Sequence, residues 1–378
     1  MLTKEEVIQN FIENEVEPAI LENMLELEEY FQTNKDRLLD GFVRSFQRIC
    51  MKIKEMQLQS QKDKIGHITY SMLRTEIQEG RYGYLIEASD SSWFFDPIEC
   101  QDEYDASWAF QFLERLVEYL EEKRRNYMGT ITRMDIEKIR NKEAEKYNQY
   151  VAILAQYAMP YGIALLEYKD IDKEEEVEVR VGEYMDISEI VYKEDSRMKE
   201  ATEIKAWLEE KLEYEYAYEV FRNLDLSKGN YEGIDLRYAD VEQSNVSNSK
   251  LSECVLLGTK FMETNLWETD FSRSFISGAN FRNSDLRGAI FHEVEGSSGL
   301  FDPSSWEMPG FLSVNFEGAN LEGADFKNAN LKGAVFVEAN LAYTNFTGAN
   351  LEHAIFSRAD LGRVKLDDRQ MDSVIWKL

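Results

Sequence analysis

Three histidines, three cysteines and a large excess of carboxylates are the side chains of this 378-residue sequence with the most chemistry to offer. Histidine is the usual general base and metal ligand because it titrates near neutral pH. His67, His292 and His353 stand far apart, with no H-E-x-x-H motif and no paired-ligand spacing. Cys50, Cys100 and Cys254 make no C-x-x-C pair and no even-numbered disulfide framework, so they read as buried free thiols. There is no Walker lysine loop, no G-x-G-x-x-G after a strand and no G-x-S-x-G elbow. Acid pairs such as Glu28 and Glu29, or the run Glu174 to Glu176, could share a proton, but charge runs are ordinarily solvated faces. The residue types point away from an enzyme and imply no cofactor and no metal.

The length suggests two domains, and the 43% hydrophobic share is enough for both to pack. The formal charge of −29 repels phosphate backbones and anionic lipid, which argues against direct nucleic-acid or membrane binding. An acidic surface of this kind either serves solubility or substitutes for DNA on a basic partner. The acidic N-terminal stretch lacks a basic region followed by an apolar run, and no eighteen consecutive apolar residues occur. A soluble cytoplasmic protein is expected.

From Leu226 a large apolar residue returns at every fifth position, through Tyr231, Leu236, Phe261, Phe271 and Phe281 to Phe291. The series resumes at Phe316 and continues through Phe326, Phe336, Phe346 and Phe356, then Leu361, Leu366, Met371 and Trp376. Two residues before each stands a small one, as Ala319, Ala324, Ala329, Ala334 and Ala349 illustrate. In extended chain, residues two apart share a side, so the large and small members face inward together and the other three face out. A helix needs apolar spacings of three and four, and a long strand needs strict alternation. A five-residue cycle satisfies neither, so the chain must turn at every unit. Asn, Asp and Gly, which favour turns, fill the remaining slots in ANLEG, ADFKN, ANLKG and TNFTG.

These units resemble the pentapeptide-repeat family, A-(N/D)-L-x-x, over residues 221–378. The resemblance implies an all-β right-handed quadrilateral β-helix with four pentads per coil. About seven coils at the ~4.8 Å inter-strand spacing give a rod on the order of 30–35 Å long, whose ends need covers. Tyr214, Tyr216 and Tyr218 are the candidates for the first coil, and Trp376 for the last. Within the family, the quinolone-resistance proteins imply a DNA-mimic modulator of a type II topoisomerase such as DNA gyrase, protecting or inhibiting it, in antibiotic resistance or self-immunity. They also imply a bacterial source and a homodimer paired through the C-terminal coil. The competing expectation, ranked first, is a non-enzymatic scaffold that binds another protein.

The pattern breaks between Phe291 and Phe316, where two prolines cannot donate to a ladder. A loop of roughly twenty residues, about 292–314, is expected to leave the rod, with Phe301, Asp302, Trp306 and Phe311 as its contact residues. If twenty residues leave, phenylalanine moves to the other pair of faces; if about fifteen leave, it stays and Phe311 joins the core.

Residues 1–220 do not repeat and read as an α+β domain, mostly helical. Helices are expected over PAILENMLELEEYF, over RLLDGFVRSFQRICMKIKEM with Leu38, Phe42, Phe46, Ile49 and Ile53 on one stripe, and over two stretches between residues 105 and 159. Strands or a hairpin are expected in HITYSMLRTEIQEGRYGYLIEAS, YGIALLEY and EVEVRVGEYM. A long final helix, SRMKEATEIKAWLEEKLEYEYAYEVF, leads into the rod near residue 220. This part carries 28 bases and 49 acids against 15 and 23 in the remainder, so it holds most of the negative charge.

Overall fold

Between Thr3 and Leu58 the chain contains one proline and one glycine, and it stays helical throughout. The computed structural model describes residues 3–299 and 312–377. A capping box of Thr3 and Glu6 starts α1 (Lys4–Phe11), a π-turn over Ile12–Val16 passes it on, and α2 (Glu17–Leu58) follows with Pro18 in its first turn. The two expected helices are therefore one, because no breaker separates Phe31 from Arg37. The stripe from Leu38 to Ile53 is buried along α2.

The rest of this unit runs β1 (Ile65–Met72), α3 (Arg74–Gln78), β2 (Gly83–Ser89), β3 (Gln101–Asp105), α4 (Ser107–Lys123), α5 (Arg133–Gly162), α6 (Leu166–Lys169), β4 (Lys173–Glu183) and β5 (Ser188–Asp195). The strands form one sheet in the order β3-β2-β1-β4-β5, with β1 and β4 parallel and the other pairs antiparallel. Ile68, Tyr70 and Met72 of β1 and Val177, Val179 and Val181 of β4 are buried at alternate positions, and Phe42 of α2 stacks on Tyr70 at 4.6 Å. Two expectations change here. YGIALLEY ends α5 and forms α6 instead of a strand, since a short apolar run does not distinguish the two. Pro160 lies inside the last turn of α5, which ends two residues later.

A second compact unit begins at Arg197, earlier than residue 221. The expected long helix is only α7 (Ala201–Glu209), because Lys211, Tyr214 and Tyr218 take left-handed φ of 55°, 62° and 63° that no helix tolerates. From Tyr216 the five-residue frame governs the chain. Single parallel bridges join residues twenty apart, as in Val220 to Asp240 to Lys260 to Asn280 and Asp225 to Asn245 to Asn265 to Asp285. The chain thus returns to the same place every four pentads. Regular strands are short because each side contributes one bridged residue; β6 (Val335–Phe336), β7 (Ile355–Ser357) and β8 (Ile375–Lys377) continue a single parallel ladder.

Packing follows from this return. Phe261, Phe281, Phe316, Phe336 and Phe356 stack face to face at 4.8–5.1 Å between ring centres. Phe271, Phe291, Phe326 and Phe346 stack in a second column at 4.6–5.3 Å, edge-on to the first. All nine are buried. The small inward position is mostly Ser or Thr in the first coils, where hydroxyls such as those of Ser249, Thr259, Thr264 and Thr269 donate to a carbonyl oxygen twenty-three residues earlier at 2.8–3.0 Å. In the later coils it is mostly alanine.

Across the interruption the bridged interval rises from twenty to thirty-five: Asn280 pairs with Asn315, Asp285 with Asn320 and Glu295 with Asn330. Fifteen residues are therefore extra, and phenylalanine keeps its faces, Phe281 stacking on Phe316 and Phe291 on Phe326. The pentad Val294–Ser298 stays in the ladder, with Gly296 N–H donating to Asn330 O and Ser298 N–H to Lys332 O. The ladder thus holds through Ser298 and again from Val314, so residues 292–298 of the expected 292–314 loop stay in it. Gly296 fills a large-residue slot because a Cβ there would stand 2.9 Å from both Ile276 and Val314.

The frame ends at Phe356. Leu361 is exposed, residues 358–360 form a 3₁₀ turn, and α8 (Asp368–Ser373) brings the buried Gln370 amide to Phe346 O and Ala349 O at 2.8 and 2.9 Å. Replacing Phe291, sandwiched between Phe271 and Phe326, by alanine should lower unfolding free energy by about 3–5 kcal/mol in urea titrations, whereas Tyr343→Ala should change it by less than about 0.5. Excising 299–313 should join two successive pentads in register and leave the far-ultraviolet circular dichroism of the ladder unchanged.

Candidate interaction surface

Each pentad sends three side chains outward, and on most pentads these are polar. The Asn or Asp before the inward residue uses its Oδ1 to accept the N–H two residues on, as in Asn245 to Ser247 at 3.2 Å and Asp325 to Lys327 at 3.1 Å. Asparagine amides also bond coil to coil, Asn265 to Asn245 and Asn340 to Asn320, both at 2.9 Å. Exposed charges pair with the next coil: Lys250 with Glu232, Arg273 with Glu253, Arg282 with Glu317 and Lys332 with Glu352. The outward charge of this unit is thus mixed in sign along the ladder.

Two outward columns depart from the rule; one is Val335, Ile355 and Ile375, paired through β6, β7 and β8, with Ile375 44% exposed. The other is on the wall whose inward residues are Leu236, Leu256 and Ile276, where the slot before them runs Asp235, Val255, Phe275, Glu295 in one bridged column. Phe275 is 48% exposed, and Val255 and Leu257 are half-buried. Along the corner of the same wall, Tyr218 stacks on Tyr238 at 5.1 Å. The Tyr238 ring lies across Gly258, where a Cβ would stand 2.4 Å from ring carbon, and Leu312 lies over Gly278, 3.3 Å from where its Cβ would be. Ser277, beside Gly278, is buried, and its hydroxyl has no hydrogen-bond partner among the described residues. Covering apolar side chains such as these carries none of the desolvation cost that covering the neighbouring charged ladders would.

The other sequence candidates fall elsewhere. Phe301, Asp302, Trp306 and Phe311 lie outside the described residues. Of the three cap tyrosines, only Tyr216 covers the first coil: it is buried, donates its hydroxyl to Trp207 O at 2.7 Å, accepts Leu212 N–H at 2.9 Å, and meets the Trp207 ring at 5.0 Å. Tyr214 is 70% exposed, and Tyr218 belongs to the outer wall. Trp207 and Leu208 of α7 complete that cover, and the sequence offered them as part of an ordinary amphipathic helix. Trp376 packs on Phe356 at 5.7 Å, above the last column. The wall's signal in the sequence is confined to the outward slots, where Val255, Leu257 and Phe275 stand in place of polar residues.

Side chains suited to chemistry are dispersed. His67 stacks on Trp93 at 4.6 Å, and His292 Nε2 lies 2.8 Å from Asp325 Oδ2. Among the described residues no group of three or more His, Cys, Asp or Glu could hold a metal ion, and no helix is long and apolar enough to cross a membrane. Burial pushes the Cys50 and Cys254 thiols up to about 12 and raises Cys100 as well.

The repeating coil and its outward ladders coincide with matches to the model of pentapeptide repeats, in eight copies, over residues 232–267, 242–277, 268–295, 311–341 and 334–368. Among solved structures, this chain is similar to a trypsin-treated form of QnrB1, a plasmid-mediated fluoroquinolone resistance protein, at 19% identity over 43% of this chain and 85% of that one, with a TM-score of 0.31. It is also similar to HetL, a pentapeptide-repeat protein involved in heterocyst differentiation regulation in the cyanobacterium Nostoc, at 18% identity over 42% and 98%, with a TM-score of 0.18. No curated protein matches the chain.

Because thiolate formation is suppressed and all three sulfurs are buried, a thiol reagent at pH 8 should label none of the cysteines in native protein and all three in urea. Labelling of a native cysteine within minutes would contradict this packing.

Proposed function

We propose that this chain is a non-enzymatic interaction protein whose C-terminal unit, a right-handed quadrilateral β-helix, holds the wall of Val255, Leu257 and Phe275 rigid for a protein partner. The observation that carries this reading is the apolar cluster of Val255, Leu257 and the 48%-exposed Phe275, set among coils whose outward slots are mostly paired charges and asparagine ladders. A solenoid contributes a flat, pre-ordered face, so little conformational entropy is lost when a partner docks. The fold alone assigns no role, and the wall supplies the site.

A photo-crosslinking residue placed at position 275 in the native cell should capture a partner that the same residue at 287, on a different wall, does not. Phe275→Glu with Leu257→Glu should abolish capture while leaving thermal unfolding within a few degrees. Equal capture from both positions, or capture undiminished by the two glutamates, would remove the wall from the function.

The second reading is a DNA-mimic modulator of a type II topoisomerase, paired as a homodimer through the C-terminal coil. The charge of −29 supports it, and so does the last strand, β8, which has no neighbour beyond it in its sheet. The coil-to-coil pairing of opposite charges weighs against it, since a duplex surrogate needs an unbroken acidic stripe. A supercoiling assay with and without a quinolone separates the two; unchanged gyrase activity at micromolar protein would exclude modulation.

A further inference from the structure

In the first unit, α2 and α5 meet along a strip that is aromatic in the middle and polar at its margin. On α2, Glu28, Phe31 and Lys35 stand at spacings of three and four, which put them on one face; Tyr150 and Tyr157, seven apart, share a face of α5. Phe31 is fully buried and meets the rings of Tyr150 and Tyr157 edge-on, at 5.5 and 6.2 Å. The buried Glu28 carboxylate is committed within the strip, accepting the Tyr150 hydroxyl at 2.7 Å and the Gln32 amide at 2.8 Å.

Lys35 closes the strip. Its Nζ lies 3.8 Å from the centre of the Tyr157 ring and 5.9 Å from that of Phe31, and donates to the Tyr157 hydroxyl at 2.6 Å. It makes no ion pair among the described residues. Other lysines withdrawn from solvent in this unit are handled differently: Lys62, Lys146, Lys173 and Lys193 have the carboxylates of Asp96, Glu143, Glu194 and Glu176 at 2.6–3.6 Å.

An ammonium enclosed by aromatic carbon without a counter-ion loses hydration that the ring faces restore only in part. Burial accordingly lowers the Lys35 amine from its ordinary range to about 8, against the opposing pull of Glu28 and Asp36. The amine is not sealed in. It is half-buried, Gln32 and Asp36 beside it on α2 are exposed, and Tyr161, one turn beyond Tyr157, is exposed as well.

We propose that Lys35 is a selective acyl-acceptor site, which takes an acyl group from a small activated donor, an acyl phosphate or a thioester, without a modifying enzyme. The neutral amine keeps one N–H on the Tyr157 hydroxyl oxygen and presents its lone pair to the carbonyl carbon of the donor. The C–N bond forms, the C–O or C–S bond breaks, and the departing phosphate or thiol takes the proton that the nitrogen gives up. The product amide is uncharged and retains an N–H for Tyr157, so the reaction removes the one unpaired charge from the strip.

The full chain, incubated with acetyl phosphate or, in a parallel arm, with the acetyl thioester of N-acetylcysteamine, is digested and its acetyl-lysines are quantified by mass spectrometry. At pH 8 Lys35 should react about tenfold or more faster than the exposed Lys4 and Lys64, since an amine titrating near 8 is half neutral there and the usual lysine under about 1%. Reaction in one arm alone assigns the donor. The rate should level off above pH 8, and in urea the preference should vanish. Gln32→Glu, at an exposed position one turn away, supplies the missing counter-ion and should slow Lys35 at pH 8 about threefold or more. The acetylated protein should melt at the temperature of the parent or above it. The proposal is overturned if Lys35 reacts no faster than Lys4 and Lys64 in both arms, if its preference survives in urea, or if its rate climbs with pH without a plateau.

Discussion

The inward stacking of rings at twenty-residue intervals is the constraint from which the C-terminal unit takes its form. A phenylalanine 4.6–5.3 Å from the next in its column can occupy that place only if the chain closes a circuit of four equal sides each time. Backbone bridges, the small residue at each inner corner and the left-handed turn at each fifth position follow from that closure. Most of those turn residues are not glycine: Asn223, Lys228, Gln243 and Glu263 all hold φ between 55° and 59°. The strain of one such residue is small, and the stack on either side over-determines it.

Satisfying the backbone falls to the polar residues. Asparagine and aspartate close local turns through Oδ1 and bond to their counterparts in the next coil through the amide. The Ser and Thr hydroxyls of the early coils reach carbonyl oxygens that would otherwise accept a single bond. At the open ends this accounting needs outside help, and two unlike devices supply it: an aromatic lid of Trp207 and Tyr216 at the start, and a glutamine amide at the finish.

The periodic part was legible because its signal is repeated more than twenty times, so single exceptions such as Cys254 or Gly296 did not obscure it. Where a feature depended on one tertiary contact, sequence was silent. Nothing local shows that Lys211 and Tyr214 turn left and end α7, or that Leu361 and Leu366 keep the spacing but not the inward place. The phase of the interruption stayed open between fifteen and twenty residues until the bridges from Asn280 to Asn315 decided it. In the first unit the long helices and β4 are readable from apolar spacing, while β5, flanked by charge, has only a short apolar run to mark it.

The break in the ladder has a structural consequence of its own. Ser298 and Val314 belong to consecutive pentads, and the ladder keeps its register on either side of the interval. Everywhere else in this unit, length is quantised by the circuit, and gaining or losing a single residue would rotate every later side chain. Here alone length is free. The break is therefore a natural grafting point, at which segments of any size can be exchanged while the column that carries them stays as it is.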